Sequence, residues 1–270
     1  GKVYSNEEIA YLHNKKEITM CIDPNWMPFE KNEKGKHVGI SSDYINLMRK
    51  VIQKDIKLIQ AKSWAESLQF AKNRKCDILS LAMATPQRRE YLDFTRPYLK
   101  VPLVVVSRNK ELFIDDVTQI NKKLGIVKNY AYGELLRTKY PHMTLIDVEN
   151  VKDGLDKVNK DELFGFIGTL IGYLKIIGKF DESWDLSVGV RNDEPILKDI
   201  FDKAINTISE ETHQQILNKW LVVKFINKDN GKEILQWIII VLLISGLIIY
   251  FILKKNKQLH KEIDRRKDIE

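Results

Sequence analysis

A chain of 270 residues with 44% hydrophobic content can build one large domain or two medium ones, and its 30% charged content argues against disorder over most of its length. The net charge of +7 comes from scattered Lys and Arg with one denser cluster after residue 253, and no basic stripe interleaved with aromatics points to nucleic acid. Neither cysteine, Cys21 nor Cys76, lies in a CxxC pair, and the five histidines lack metal-ligand spacing, which argues against zinc centres and thioredoxin-type chemistry. The cysteines admit one disulfide, with two separate buried thiols the favoured reading.

Residues 5–13, SNEEIAYLH, open with a capping box of Ser5 and Glu8 and predict a short helix. Strand 17–23 follows, then a loop, PNWMPFE (24–30), with two prolines and two aromatics. Apolar spacing predicts a helix over 40–53, a strand over 56–61, a helix over 64–74 and a strand over 76–83. This alternation implies an α/β layer with a mostly parallel sheet. A long extended run, 98–108, is followed by a second alternation: strand 123–128, helix 132–140, strand 143–148, helix 151–160 and strand 163–168. An extended run at 184–191 and two helices, 195–208 and 210–221, complete the pattern. The expected organisation is two α/β lobes joined by two extended crossings, with a cleft between them and ligand at the carboxyl ends of the parallel strands.

The segment 234–253, ILQWIIIVLLISGLIIYFIL, carries no charge and is long enough to span a bilayer, with Trp237 and Tyr250 near its ends. The basic run after it, KKNKQLHKEIDRRKDIE, places that side in the cytoplasm and residues 1–230 in the periplasm or extracellular space. No signal peptide is visible at Gly1, so one is expected to have been removed or to lie upstream. Leu259 and Ile263 sit near heptad spacing, as at the start of a signalling helix; a basic anchor on anionic lipid is the other reading.

One local feature asks for a ligand. Thr85 and Pro86 suit the start of a helix, yet Arg88 and Arg89 occupy its first turn, where the dipole prefers acids. Free backbone amides and the Arg88 fork would hold a carboxylate at the cleft. The other readings are a solvated arginine pair, or an internal salt bridge to Glu90 or Asp93.

These same residues resemble a known family. TPQR (85–88) followed by DFTRPY (93–98) is similar to the Thr-x-x-Arg … Asp-Phe-(Ser/Thr)-x-Pro-Tyr signature of amino-acid-type periplasmic solute-binding proteins, family 3. IDPNWMPFE (22–30), VGISSDYINLM (38–48) and ILNKWL (216–221) resemble that family's first strand and loop, helix entry and closing helix. The leading helix and trailing apolar span resemble the subset that serves as Venus-flytrap sensor domains of membrane-bound histidine kinases and diguanylate cyclases. The resemblance implies a two-lobed periplasmic-binding-protein (Venus flytrap) α/β fold with two crossover strands, followed by a single transmembrane helix. The boundaries would be an N-terminal helix (1–14), lobe 1 (15–100, completed by 191–222), lobe 2 (101–190), a linker (223–233), the span (234–253) and a cytoplasmic signalling start (254–270).

It also implies site residues. Arg88 would grip a ligand carboxylate, Trp26 and Trp64 would stack on the ligand, and Ser80 and Met83 would approach it from the strand end. Asp23, Phe29 and Thr85 border that group, and Tyr130 and Ala131 belong to the second lobe's loop. Thr169 stands where amino-acid binders carry an Asp for the α-ammonium group, which turns the expected ligand toward organic or aromatic acids as well as amino acids. Tyr130 and Tyr132 make the second-lobe loop bulkier than the usual small hydroxyl residues. Trp26 and Trp64 would otherwise be packing residues, and Asp23 a cap on the loop it precedes.

The expected function is extracytoplasmic sensing of a small carboxylate, with lobe closure passed to an output module beyond Glu270, in the inner membrane and as a homodimer through the membrane and signalling helices. No cofactor, metal or catalytic residue is expected. The alternatives are a flytrap-fold enzyme, dehydratase-like or fused to a cell-wall lytic domain, with Asp23 the one obvious acid, and the binding component of an ABC transporter.

Overall fold

Ser5 accepts the Glu8 amide while the Glu8 carboxylate accepts the Ser5 amide, and this capping box opens α1 (Asn6–Asn14) in the computed structural model, which describes residues 3–169, 175–221, 240, 242–255 and 257. Lys203 pairs with the same Glu8 carboxylate at 2.7 Å, so the cap also fastens α1 to a later helix. The chain divides into two compact units, Gly1–Val222 and Val223–Glu270.

In the first unit, β1 (Ile18–Cys21) enters the core. The segment 24–38, expected to begin as a loop, forms a small antiparallel sheet of β2 (Asn25–Trp26), β3 (Glu30–Glu33) and β4 (Lys36–Val38). Its strands are too short and too polar to show a period of two, which is why the pattern hides them. Then come α2 (Ile40–Ile52), β5 (Ile56–Leu58), α3 (Trp64–Lys72) and β6 (Ile78–Ala82). The arginine-bearing helix α4 (Pro86–Arg89) is one turn long and leads into β7 (Leu92–Phe94). The first crossing is β8 (Leu99–Ser107).

The second lobe holds β9 (Leu124–Val127), α5 (Ala131–Lys139), β10 (Leu145–Val148), α6 (Val151–Asn159) and β11 (Gly165–Gly168). The return crossing, β12 (Lys175–Arg191), starts well before the expected 184. Its first half alternates exposed and buried residues around charged Lys179, Asp181 and Glu182, which reads as loop in a hydropathy pattern. Helices α7 (Pro195–Asn206) and α8 (Glu210–Leu221) finish the unit.

The strand order β10-β9-β11-β8-β12-β6-β1-β5, with β7 also on β12, makes the two crossings the shared middle of two sheets. Within each lobe β1, β5 and β6, or β9, β10 and β11, run parallel, whereas β8 and β12 run antiparallel to their neighbours. Strands β6, β9 and β11 are buried at every residue, as parallel strands covered by helices on both faces must be. Two lobes joined by two crossings is the flytrap architecture.

Cys21 and Cys76 form a disulfide with their Cα atoms 5.8 Å apart, which corrects the expectation of two separate thiols. Spacing alone could not pair them; the parallel register that sets Met20 beside Ile78 brings them together.

Gly39 precedes α2 at φ +119°, and a Cβ there would lie 2.5 Å from the Phe29 carbonyl oxygen. That close approach lets the Ile40 and Ser41 amides bond the Pro28 and Phe29 carbonyls, each at 2.9 Å. Gly39→Ala is expected to cost roughly 1–3 kcal/mol through backbone strain, measured as a lower midpoint in thermal denaturation.

In the second unit residues 242–255 are helical and their apolar side chains are exposed, Leu242 and Leu243 at 65% each. No helix among the described residues is long and apolar enough to cross a membrane. The expected linker 223–233, residues 234–239 and 241 of the expected span, and 256 and 258–270 of the signalling segment lie outside the described residues.

Candidate functional site in the interlobe cleft

Strand β6 ends at Ala82, so the turn Met83–Thr85 and α4 face the cleft, and Thr85 caps α4 by accepting the Arg88 amide at 3.2 Å. One turn of helix gives little dipole, and the Thr85 cap engages the Arg88 amide. The arginine side chain is what reaches the cleft. Arg88 is 5% exposed, donates from Nη1 to the Met83 carbonyl at 2.9 Å, and from Nη2 to the Asn129 carbonyl at 3.0 Å across the cleft. Its guanidinium lies over the Trp64 ring at 5.3 Å, a cation–π contact that gives Trp64 a role beyond packing. Among the described residues no acid pairs with Arg88, so the expected alternative of a salt bridge to Glu90 or Asp93 does not hold. Burial pulls its pKa below the usual arginine value, opposed by Tyr91, Glu134 and Tyr130. Arg89 points elsewhere: it is exposed and stacks over Phe94 at 5.4 Å.

Two further hydrogen bonds cross between the lobes. Trp26 Nε1 donates to Thr169 Oγ1 at 3.3 Å. Tyr130 donates its hydroxyl proton to Asp23 Oδ2, while the other Asp23 oxygen accepts the Asn25 amide at 2.9 Å. Asp23 is therefore a loop cap, as the sequence allows, and half of a latch as well. Burial pushes its carboxyl up to about 7, with the Tyr130 and Asn25 hydrogen bonds acting against that rise and nearby Glu30 adding to it. The Tyr130 hydroxyl is held well above its ordinary value, first by burial and then by Asp23.

Aromatic rings fill the cleft. Phe29 meets Trp26 at 4.9 Å, Trp26 meets Tyr130 at 5.5 Å, Tyr130 meets Tyr132 at 5.4 Å and Tyr132 meets Trp184 at 6.1 Å. This series runs from lobe 1 through lobe 2 to the crossing strand β12. The cavity left among these rings is about 30 Å³, room for two waters at most. The lobes are closed on each other by their own side chains.

Of the expected site residues, Asp23, Trp26, Trp64, Met83, Arg88, Tyr130, Ala131 and Thr169 line this cavity. Three do not line it. Phe29 supports Trp26 from beneath and is 2% exposed. Ser80 donates to the buried carboxylate of Glu30, which also accepts the Asp23 amide at 2.8 Å. Thr85 is committed to its cap. Six contributors escaped the sequence reading, two of them Leu81 and Ala82 at the end of β6. Trp184 and Leu186 come from β12, and Val101 from β8, all at positions that look like ordinary strand residues. Asn129 enters through its backbone, in the left-handed region at φ 63°, and an Asn just before a helix is the one local signal for that geometry. No group of His, Cys, Asp or Glu among the described residues could hold a metal ion.

Comparison with known proteins agrees with the two-lobed fold. The chain is similar to the virulence sensor protein BvgS of Bordetella pertussis, 21% identical over 231 residues, covering 80% of this chain and 19% of that protein. It is also similar to the sensor protein EvgS of Escherichia coli O157:H7, 25% identical over 245 residues, covering 83% of this chain and 20% of that protein. The chain thus spans about a fifth of the length of the curated relatives it matches. Among solved structures, the periplasmic VFT2 domain of Bordetella pertussis BvgS superposes with a TM-score of 0.73 at 19% identity, covering 80% of this chain and 98% of that domain. Residues 18–223 match the profile of the bacterial extracellular solute-binding proteins, family 3, and the chain belongs to that family.

Proposed function

We propose that this chain is the extracytoplasmic sensing portion of a membrane signalling receptor, that its cleft takes a small carboxylate on Arg88, and that a change in the degree of lobe closure is its signal. The observation that carries the carboxylate reading is a buried guanidinium with carbonyl partners and no acid. Carbonyls satisfy its protons without neutralising its charge, and a carboxylate does both. The bond to Asn129 is the natural one to give up, because it spans the cleft and forms only when the lobes meet. Thr169 offers a hydroxyl and no charge for an α-ammonium group, and the cleft walls are aromatic, which favours organic or aromatic acids over amino acids. The sensing role is supported by the family and by the relatives named sensor proteins. In this reading lobe 1 is residues 15–100 with 191–222, lobe 2 is 101–190, and 223–233 leads to a span at 234–253. The exposed apolar helix at 242–255 suits lipid surroundings. The receptor would work as a homodimer and drive a kinase or cyclase module.

A thermal-shift screen of small carboxylates on the full chain in detergent micelles tests this. At least one acid should raise the wild-type midpoint with dose. Arg88→Ala should weaken that acid by about tenfold to about a hundredfold, the worth of a charge-assisted hydrogen bond. Arg88→Lys should restore part of the loss, since a point charge cannot reproduce the fork. Equal stabilisation of wild type and Arg88→Ala by the same acid rules the proposal out.

A further inference from the structure

The first turn of α2 touches three things at once. Its leading amides, Ile40 and Ser41, are bonded to the Pro28 and Phe29 carbonyls of the cleft loop, each at 2.9 Å. Its inner face meets the hinge. Tyr98, just before β8, donates its amide to the Leu186 carbonyl on the other crossing at 3.0 Å, and its hydroxyl donates to the Ser80 carbonyl at 2.6 Å and lies 3.1 Å from Ser41 Oγ. The ring of fully buried Tyr44 packs on Tyr98 with centroids 4.9 Å apart. Its outer face holds α8. The Tyr44 hydroxyl is 2.7 Å from His213 Nδ1, and Asp43 Oδ2 accepts Trp220 Nε1 at 2.7 Å and Lys219 Nζ at 2.8 Å. Helix α8 ends at Leu221, so the segment after it in sequence begins where these contacts stop.

We propose that the first turn of α2 is the element through which the lobe hinge sets the position of α8, with Tyr44 and Asp43 as the two positioning residues. The proposal rests on the receptor reading. Tyr98 sits where the two crossings meet, so a change of lobe angle displaces its ring. Tyr44 is fully buried against that ring, and close-packed groups transmit displacement as a unit. Tyr44 and Asp43 are adjacent on one turn and grip α8 at two places about two turns apart, His213 and Lys219–Trp220, which fixes its tilt as well as its depth.

Hydrogen exchange on the full chain in detergent micelles tests this without any ligand. The double substitution Tyr130→Phe with Thr169→Ala removes two interlobe hydrogen bonds at little change in volume. It should speed exchange about tenfold in the cleft loops 23–29 and 127–132, and measurably in 210–221. In an Asp43→Ala, Tyr44→Phe background, the cleft loops should respond as before and the further response of 210–221 should vanish. If that background does not fold, Tyr44→Phe alone, which keeps the ring, should at least halve the response. A purely structural role predicts that 210–221 responds by the same factor in both backgrounds, and that result overturns the proposal. So does a cleft substitution that leaves either the loops or α8 unchanged. A chain that binds no carboxylate yet shows the non-additivity loses the ligand reading and keeps the relay; the converse result separates them the other way.

Discussion

Acidification from pH 7 to pH 4 is expected to tighten the cleft, by about tenfold in the closed-to-open ratio per pH unit at the steepest, and Asp23→Asn is expected to abolish that dependence. Opening the lobes is expected to return Asp23 to water and to its ordinary carboxylate range, whereas in the closed form burial pushes its carboxyl up to about 7. A group with a raised pKa in one state makes that state bind the proton more tightly. The closed form therefore enjoys its full advantage below about 4 and loses it as pH rises through 7. The groups around Asp23 are Tyr130, which donates to it, and Glu30, which accepts its amide; His37 lies beyond, 3.3 Å from Glu30. Exchange rates in loops 23–29 and 127–132, followed from pH 4 to 8 and corrected for intrinsic chemistry, measure the effect. A slope that persists in Asp23→Asn would assign it to another group.

The second large effect is expected from Cys21→Ala with Cys76→Ala. The bond closes a loop with a sequence separation of 55 residues, which in the chain-entropy account is worth about 4 kcal/mol. Both residues are fully buried, and alanine leaves no polar group to satisfy. The midpoint of thermal unfolding should fall by roughly 10 °C, and a reducing agent should move the wild type toward the variant. Because Cys21 lies two residues before Asp23, the loss should also quicken exchange in the loop 23–29. A disulfide suits an oxidising compartment, in keeping with a segment outside the cytoplasm. A fall of less than 1 °C would mean that the register of β1 and β6 needs no covalent help.

Where hydropathy, caps and helical spacing act over ten residues, the sequence reading and the structure agree. Helix α2 is legible from Ile40, Tyr44 and Met48, α1 from its capping box, and the two-lobed plan from two strand–helix alternations separated by extended runs. What escapes is set by tertiary register. The pairing of Cys21 with Cys76, the arrival of Trp184 from β12, and the reach of the Asn129 carbonyl to Arg88 all depend on which strands lie side by side. Ser80, which the family resemblance sets near the ligand, hydrogen-bonds to Glu30, a partnership that only tertiary register sets. Trp26 and Arg88 were recoverable because each breaks a local rule, an indole in a proline-flanked loop and a cation in a helix's first turn. Their partners obey every local rule and stay hidden.

The most direct measurement is a structure of the chain with the stabilising carboxylate bound. The account predicts the acid's oxygens on the Arg88 guanidinium, the Asn129 carbonyl displaced from Nη2, and the Trp26 and Trp64 rings against the ligand body. A carboxylate bound elsewhere, with Arg88 still bonded to Met83 and Asn129, contradicts it.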